Sequence, residues 1–439
     1  MKKFALSSFP LLLVSSIAFL GGCSENYDEY LTVYNWEDYI YAGTDDDGNI
    51  VADGTVRQFE KYYEEKTGKT IKVNYVRFST NEEMYQKLTL GRIKADLICP
   101  SDYMIQKMAN AGLLEPFSYN EEADTYAESL SNWDLYGSPY IRDRFAKEKL
   151  DDGSSFLKYA VPYFWGTMGF TYNPEYFNEE EITTWECLWS KDARFAKKLT
   201  LKDSIRDTYV AAIFHVYKDE IAALDVNSPT YNKELSDIFN RHDDATLALV
   251  KAALIEAKKS TVYAFEVDEG KNGIVTGEYE ANLAWSGDSV YSMDEAEEGG
   301  KYLNYALPKE GSNVWFDGWC MPKGAQKELA EEFVNFISKP SVAVECMEEV
   351  GYTSPIVGDE ILEYVEETYA AEEGETDTYQ VDLSFFFGDN VVLDIPNKDK
   401  GRQFDAQYPT EEMLKRCCMM KDFGKDIDKV DQMWKEVKA

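Results

Sequence analysis

Ile71-Lys72-Val73-Asn74-Tyr75-Val76 alternates apolar and polar residues at the period of a strand. Ahead of it, Val56, Phe59 and Tyr63 recur at helical spacing and stop at Gly68, a residue free to take the left-handed turn that ends a helix. Further back, Leu31 to Asn35 reads as a strand. Downstream, Thr80 and Glu83 form a capping box in front of Met84 and Leu88, and Asp96 to Pro100 supplies another short apolar strand. The order strand, helix, strand, helix, strand predicts an α/β domain with a largely parallel sheet, whose ligand sites lie at the carboxyl ends of the strands. Trp36 to Tyr39 and Ser101 to Tyr103 follow strands at that end.

A similar pattern restarts near Tyr163, passes through a predicted helix from Asp207 to His215 and returns to an apolar strand at Ala281 to Trp285. This predicts a second α/β lobe. Leu329, Ala330, Phe333, Phe336 and Ile337 predict an amphipathic helix that Pro340 closes. Three acidic or polar stretches, Gly43 to Gly54, Tyr119 to Asp152 and Glu363 to Thr378, predict surface excursions. Within the first, Asp45-Asp46-Asp47-Gly48-Asn49 lacks the glycine and terminal glutamate of a calcium loop at the required offsets and carries turn chemistry, so a hairpin turn is expected.

At the amino terminus, Lys2 and Lys3 precede an uncharged, mostly apolar run from Phe4 to Leu20. That is the pattern of an export signal. The run is short for a bilayer span, which needs roughly 20 consecutive apolar residues. Leu20-Gly21-Gly22-Cys23 resembles the lipobox of bacterial lipoproteins, which implies cleavage after residue 22, acylation of Cys23 and a tether over 23–30. The formal charge of −36 argues against nucleic-acid binding and tilts towards cationic partners. Cys99, Cys187, Cys320, Cys346, Cys417 and Cys418 show no CxxC spacing and are expected to be mostly buried thiols. With His215 and His242 alone, neither a histidine triad nor a zinc site is expected, and no cofactor is implied.

A site for a cationic ligand with an apolar stem needs carboxylates for its ammonium groups and aromatic faces for its methylenes. Each buried methylene contributes about 0.8 kcal/mol, and a cation over a tryptophan face adds roughly 0.5 to 2 kcal/mol. Trp36 with Asp38 and Tyr39, Trp285 with Asp288, and Trp315 with Asp317 place an acid beside an aromatic just after strand-like runs. Tyr34-Asn35-Trp36-Glu37-Asp38-Tyr39 resembles the YNW-x-[DE]-Y opening of the spermidine/putrescine-binding proteins. Pro100-Ser101-Asp102-Tyr103, Pro162-Tyr163-Phe164-Trp165-Gly166-Thr167 and Thr184-Trp185-Glu186-Cys187-Leu188-Trp189 resemble further family segments in the same order. Trp285-Ser286-Gly287-Asp288, Trp315-Phe316-Asp317 and Gly351-Tyr352-Thr353-Ser354-Pro355 continue the series, which spans residues 31 to 356.

The resemblance implies a two-lobed, type II periplasmic-binding fold with the ligand cleft between the lobes. The expected division is 31–166 with 316–360 in lobe 1, and 167–315 with 361–439 in lobe 2. Carried over by position, Trp36, Tyr39, Tyr103, Trp285, Trp315 and Tyr352 form aromatic walls, Asp38, Asp288 and Asp317 accept ammonium groups, and Ser101 supplies a hydrogen bond. A further acid falls in the segment Leu201 to Asp207, with Asp207 the better fit and Asp203 the alternative. Glu37 stands where the family usually has Ser or Thr and leaves spermidine against putrescine open. The expected function is that of a lipid-anchored, extracytoplasmic binding protein that hands a polyamine to an ABC permease and its ATPase. The alternatives are a protein for another solute such as a sugar, which would call for amide and arginine donors, or an exported carboxylate hydrolase, which the resemblance does not support.

Overall fold

The computed structural model describes residues 26–44, 49–267, 269–388 and 390–439. The signal sequence, Cys23 and the turn at 45–48 lie outside the described residues. Strand β1 (Glu29–Trp36) pairs in parallel with β2 (Ile71–Phe78) on one side and β3 (Leu97–Ile98) on the other. Helix α1 (Thr55–Thr67) ends where Gly68 takes φ 72° and its N–H donates to the Glu64 carbonyl. The Thr80 hydroxyl accepts from the Glu83 N–H and opens α2 (Asn81–Thr89), and Ser101 precedes α3 (Asp102–Asn110).

Strand β4 (Val161–Tyr172) is buried along its whole length. Its first half pairs antiparallel with β9 (Val314–Trp319), while its second half pairs with β7 (Ala281–Trp285) and β8 (Asn304–Ala306). Beyond β7 the sheet continues in parallel through β5 (Leu199–Lys202) to β6 (Val262–Glu266). Helix α4 (Ile205–Val216) follows β5 and α5 (Ser286–Glu298) follows β7. Along β4 the packing changes hands. Val161 to Trp165 belong to one hydrophobic core, with β1, β2 and β3, whereas Met168, Phe170 and Tyr172 belong to another, with α4 and β5. Val314 and Phe316 on β9 return to the first core, so two antiparallel strands link two lobes.

Three expectations need correction. Ile361, Val365, Leu383, Phe386, Ile395 and Leu414 pack on the first core, so the chain after 360 does not pass straight to the second lobe. The second core takes up the chain only from Cys418, with Val430, Met433 and Trp434. The stretch from Tyr119 to Asp152 is not simply a surface excursion, because Leu130, Trp133, Ile141 and Phe145 are fully buried beneath its acidic exterior. Finally, Pro340 does not merely close helix α6 (Lys327–Ile337). It occupies the first turn of α7 (Pro340–Val350), where a missing N–H costs nothing.

Candidate ligand site between the lobes

Most predicted site residues sit at a strand end or a helix start, where backbone ends and side chains converge, while Trp315 and Asp317 lie within a strand and Tyr352 follows the end of a helix. From the first lobe come Tyr39 after β1, Ser101 and Tyr103 around the start of α3, Trp315 and Asp317 on β9, and Tyr352 just after α7. From the second come Lys202 at the end of β5, Arg206 and Asp207 in the first turn of α4, Trp285 at the end of β7, and Asp288 in the first turn of α5. Gly351 ends α7 at φ 76° and turns the chain so that Tyr352 enters the cleft. Gly287 is the matching small residue on the other side: a Cβ there would lie 2.4 Å from the Tyr352 ring.

Tyr39 donates from its hydroxyl to Asp317 Oδ2 at 2.7 Å. Ser101 and Asp317 form an antiparallel backbone bridge, which fixes the carboxylate beside the start of α3. Asp317 is 6% exposed, and its Oδ1 is buried without a hydrogen-bond partner. Burial pushes its pKa up to about 6, with the nearby Ser101 and Tyr39 hydroxyls pulling the other way. The Tyr39 ring meets Phe164 at 5.0 Å and Tyr352 at 5.6 Å, and Tyr352 meets Trp315 edge-on at 5.3 Å. Trp315 and Asp317 are two apart on one strand and share a face.

Tyr352 also reaches the second lobe, where its hydroxyl donates to Asp288 Oδ1 at 3.0 Å. The other Asp288 oxygen lies 3.0 Å from Lys202 Nζ. That ammonium sits 3.7 Å from the Trp285 ring centroid, and the Trp285 indole N–H donates to Asp207 Oδ1 at 3.1 Å. Asp203 pairs instead with Lys438 at 2.7 Å, so Asp207 is the acid of this segment that joins the cluster. Tyr103 accepts from Asn81 at 3.1 Å, donates to Glu82 at 2.8 Å and lies 3.6 Å beneath the Arg206 guanidinium. Asp102 is buried beside it, and desolvation raises its pKa to about 8 against the pull of Arg206.

Trp36 and Asp38 line a neighbouring cavity that meets this cluster at Tyr39, which lines both. Trp36 packs on Phe78 at 4.6 Å, and with Asp38, Tyr75, Arg77 and Glu349 it lines a cavity of about 500 Å³ made wholly of first-lobe residues. Lys202 and Arg206, cations rather than acids, join the cluster outside the pattern of acids beside aromatics. In the segment Leu201 to Asp207 each cation directly precedes an acid, Lys202 before Asp203 and Arg206 before Asp207, which is the local sign of charge pairing there. All six described cysteines are free and buried, and among the described residues no cluster could hold a metal ion.

The model of the bacterial extracellular solute-binding protein family matches residues 57–361. The chain belongs to that family. It is a binding protein and not an enzyme, and the family acts outside the cytoplasm. The spermidine/putrescine-binding periplasmic protein of Salmonella typhimurium is 28% identical over 332 residues, covering 75% of this chain and 78% of the relative. The putrescine-binding periplasmic protein of Pseudomonas aeruginosa is 26% identical over 379 residues, 82% of this chain and 89% of its own length. The crystal structure of the spermidine/putrescine ABC transporter substrate-binding protein of Streptococcus pneumoniae superimposes with a TM-score of 0.61. It covers 94% of this chain and 99% of that one at 24% identity, which establishes a two-lobed binding-protein fold for this member of the family.

Proposed function

We propose that this solute-binding protein captures a polyamine between its lobes and delivers it to an ABC permease and its ATPase partner. The observation that carries the reading is Asp317: a buried carboxylate with one unpartnered oxygen, set among the rings of Tyr39, Trp315 and Tyr352. An ammonium supplies the missing partner, and the rings cover the methylene stem. The names of the relatives support the same cargo class. Lobe 1 contributes Tyr39, Ser101, Tyr103, Trp315, Asp317 and Tyr352, and lobe 2 contributes Asp207, with Trp285 and Asp288 lining the cleft around the Lys202 ammonium. Trp36 and Asp38 act at the rim rather than on the buried cluster. Export, cleavage after Gly22 and acylation of Cys23 tether the protein to the membrane surface on this reading, which rests on the lipobox-like residues.

Isothermal titration of the soluble chain from Ser24, with putrescine, spermidine, spermine and a maltooligosaccharide in separate runs at fixed salt, tests the proposal. One-to-one saturation by a polyamine and silence for the sugar is the expected result. Binding of the sugar alone would replace the cargo class.

A further inference from the structure

Lys202 is 1% exposed, and its ammonium has the contacts that a bound amine would make. It stands over the face of Trp285 at 3.7 Å, 3.0 Å from Asp288 Oδ2 and 3.4 Å from the Val267 carbonyl. Both Asp288 oxygens already have a partner, since Oδ1 accepts from Tyr352 and Oδ2 faces the lysine. Trp285 and Asp288 are the pair that the sequence marked as an ammonium subsite, and the chain's own side chain fills it.

The remaining acids can be counted. Asp317 has an unpartnered oxygen, and Asp207 holds only the Trp285 N–H by one of its two oxygens among the contacts described. Asp102 accepts the Tyr103 N–H at Oδ1 and keeps Oδ2 unpartnered, but it lies beside the Arg206 guanidinium, a cation that already faces it, stacks on the Tyr103 ring and donates to the Lys421 carbonyl. Asp38 faces the first-lobe cavity. Away from the Asp102–Arg206 contact, Asp317 and Asp207 are the cluster's acids with an uncommitted oxygen, and an ammonium placed at Trp285 and Asp288 would have to approach Lys202 itself. Like charges in a desolvated site repel strongly.

We infer that Lys202 is a built-in ammonium that plugs the Trp285–Asp288 subsite and restricts this protein to diamines, excluding triamines and tetramines. The inference rests on the polyamine reading and goes further by naming the residue that selects ligand length. Spermidine, with three ammonium groups, needs an acceptor that the lysine holds. A butane diamine does not.

The test titrates wild type, Lys202→Met and Lys202→Arg with putrescine and spermidine. Wild type should prefer putrescine by about tenfold or more, the worth of one charge-assisted hydrogen bond. Lys202→Met keeps the stem and removes the charge, so Asp288 is released and spermidine should gain about tenfold or more relative to putrescine. Lys202→Arg retains the plug and the diamine preference. Wild type binding spermidine as tightly as putrescine overturns the plug and leaves the polyamine reading standing. A folded Lys202→Met that weakens both ligands equally also overturns it, by showing that the lysine serves structure alone. Silence of wild type towards every polyamine overturns the cargo class and the plug together. If Lys202→Met does not fold, the wild-type ratio of the two affinities decides.

Discussion

At one end of the cleft Asp317 lies beneath the Tyr39 hydroxyl with an oxygen unpartnered; at the other Asp288 lies beside Trp285 with both oxygens taken. Tyr352 touches both ends, through its ring to Tyr39 and Trp315 and through its hydroxyl to Asp288. The neighbours are alike in kind, aromatic rings and a tyrosine hydroxyl, and the difference is one lysine. A carboxylate held open awaits a cation from solution, whereas a carboxylate already paired contributes to folding. The same residue type thus does two jobs according to what the chain brings to it.

Identical truncations at the two ends should separate these jobs. Asp288→Ala leaves the Lys202 ammonium buried without its counter-ion, and the expected loss of stability is about 3–5 kcal/mol in urea unfolding. A stability change below about 1 kcal/mol would erase the distinction, because it would mean the pair contributes no more than a surface one. Asp317→Ala should act in the opposite sense: polyamine affinity falls by at least about 2 kcal/mol in titration calorimetry, with a much smaller change in unfolding.

Proton linkage sharpens the contrast with a smaller effect. The Asp317 pKa, about 6 in the fold, exceeds its ordinary value of 3.8, so folding favours its protonated form. The stabilisation this gives the ligand-free protein is full below about pH 4 and is lost as pH rises through about 6. A bound ammonium requires the ionised form and reverses the dependence. Affinity for putrescine should be flat above about pH 7 and fall about tenfold per pH unit below about 6, and Asp317→Asn should abolish that slope. A slope that persists in Asp317→Asn would assign the proton to another group.

Much of the first lobe was legible because its signals are local. The alternation at Ile71 to Val76 and the stop at Gly68 act within a few residues and appear where expected, and Thr80 caps its helix, although the Glu83 side chain pairs with Lys87 instead of completing the capping box. Local reading failed where burial came from distant partners. Trp133 and Phe145 sit in an acidic stretch whose apolar minority packs inward. The Trp36–Asp38 pair reads like Trp285–Asp288, yet Trp36, the last residue of β1, packs on Phe78, and the pair lines the first-lobe cavity.

By itself the sequence determined the α/β order, the list of acids and aromatics that follow strands, and the resemblance that joins them. Those properties are carried by residue type and short spacing, which are written directly in the chain. Only the tertiary structure decided which acid is open. Lys202 and Asp288 are 86 positions apart, and β5 and β7 must lie side by side in one sheet before the ammonium can meet the carboxylate. Electrostatic pairing acts over a few ångströms of space and is indifferent to distance along the chain, so the fold settles it.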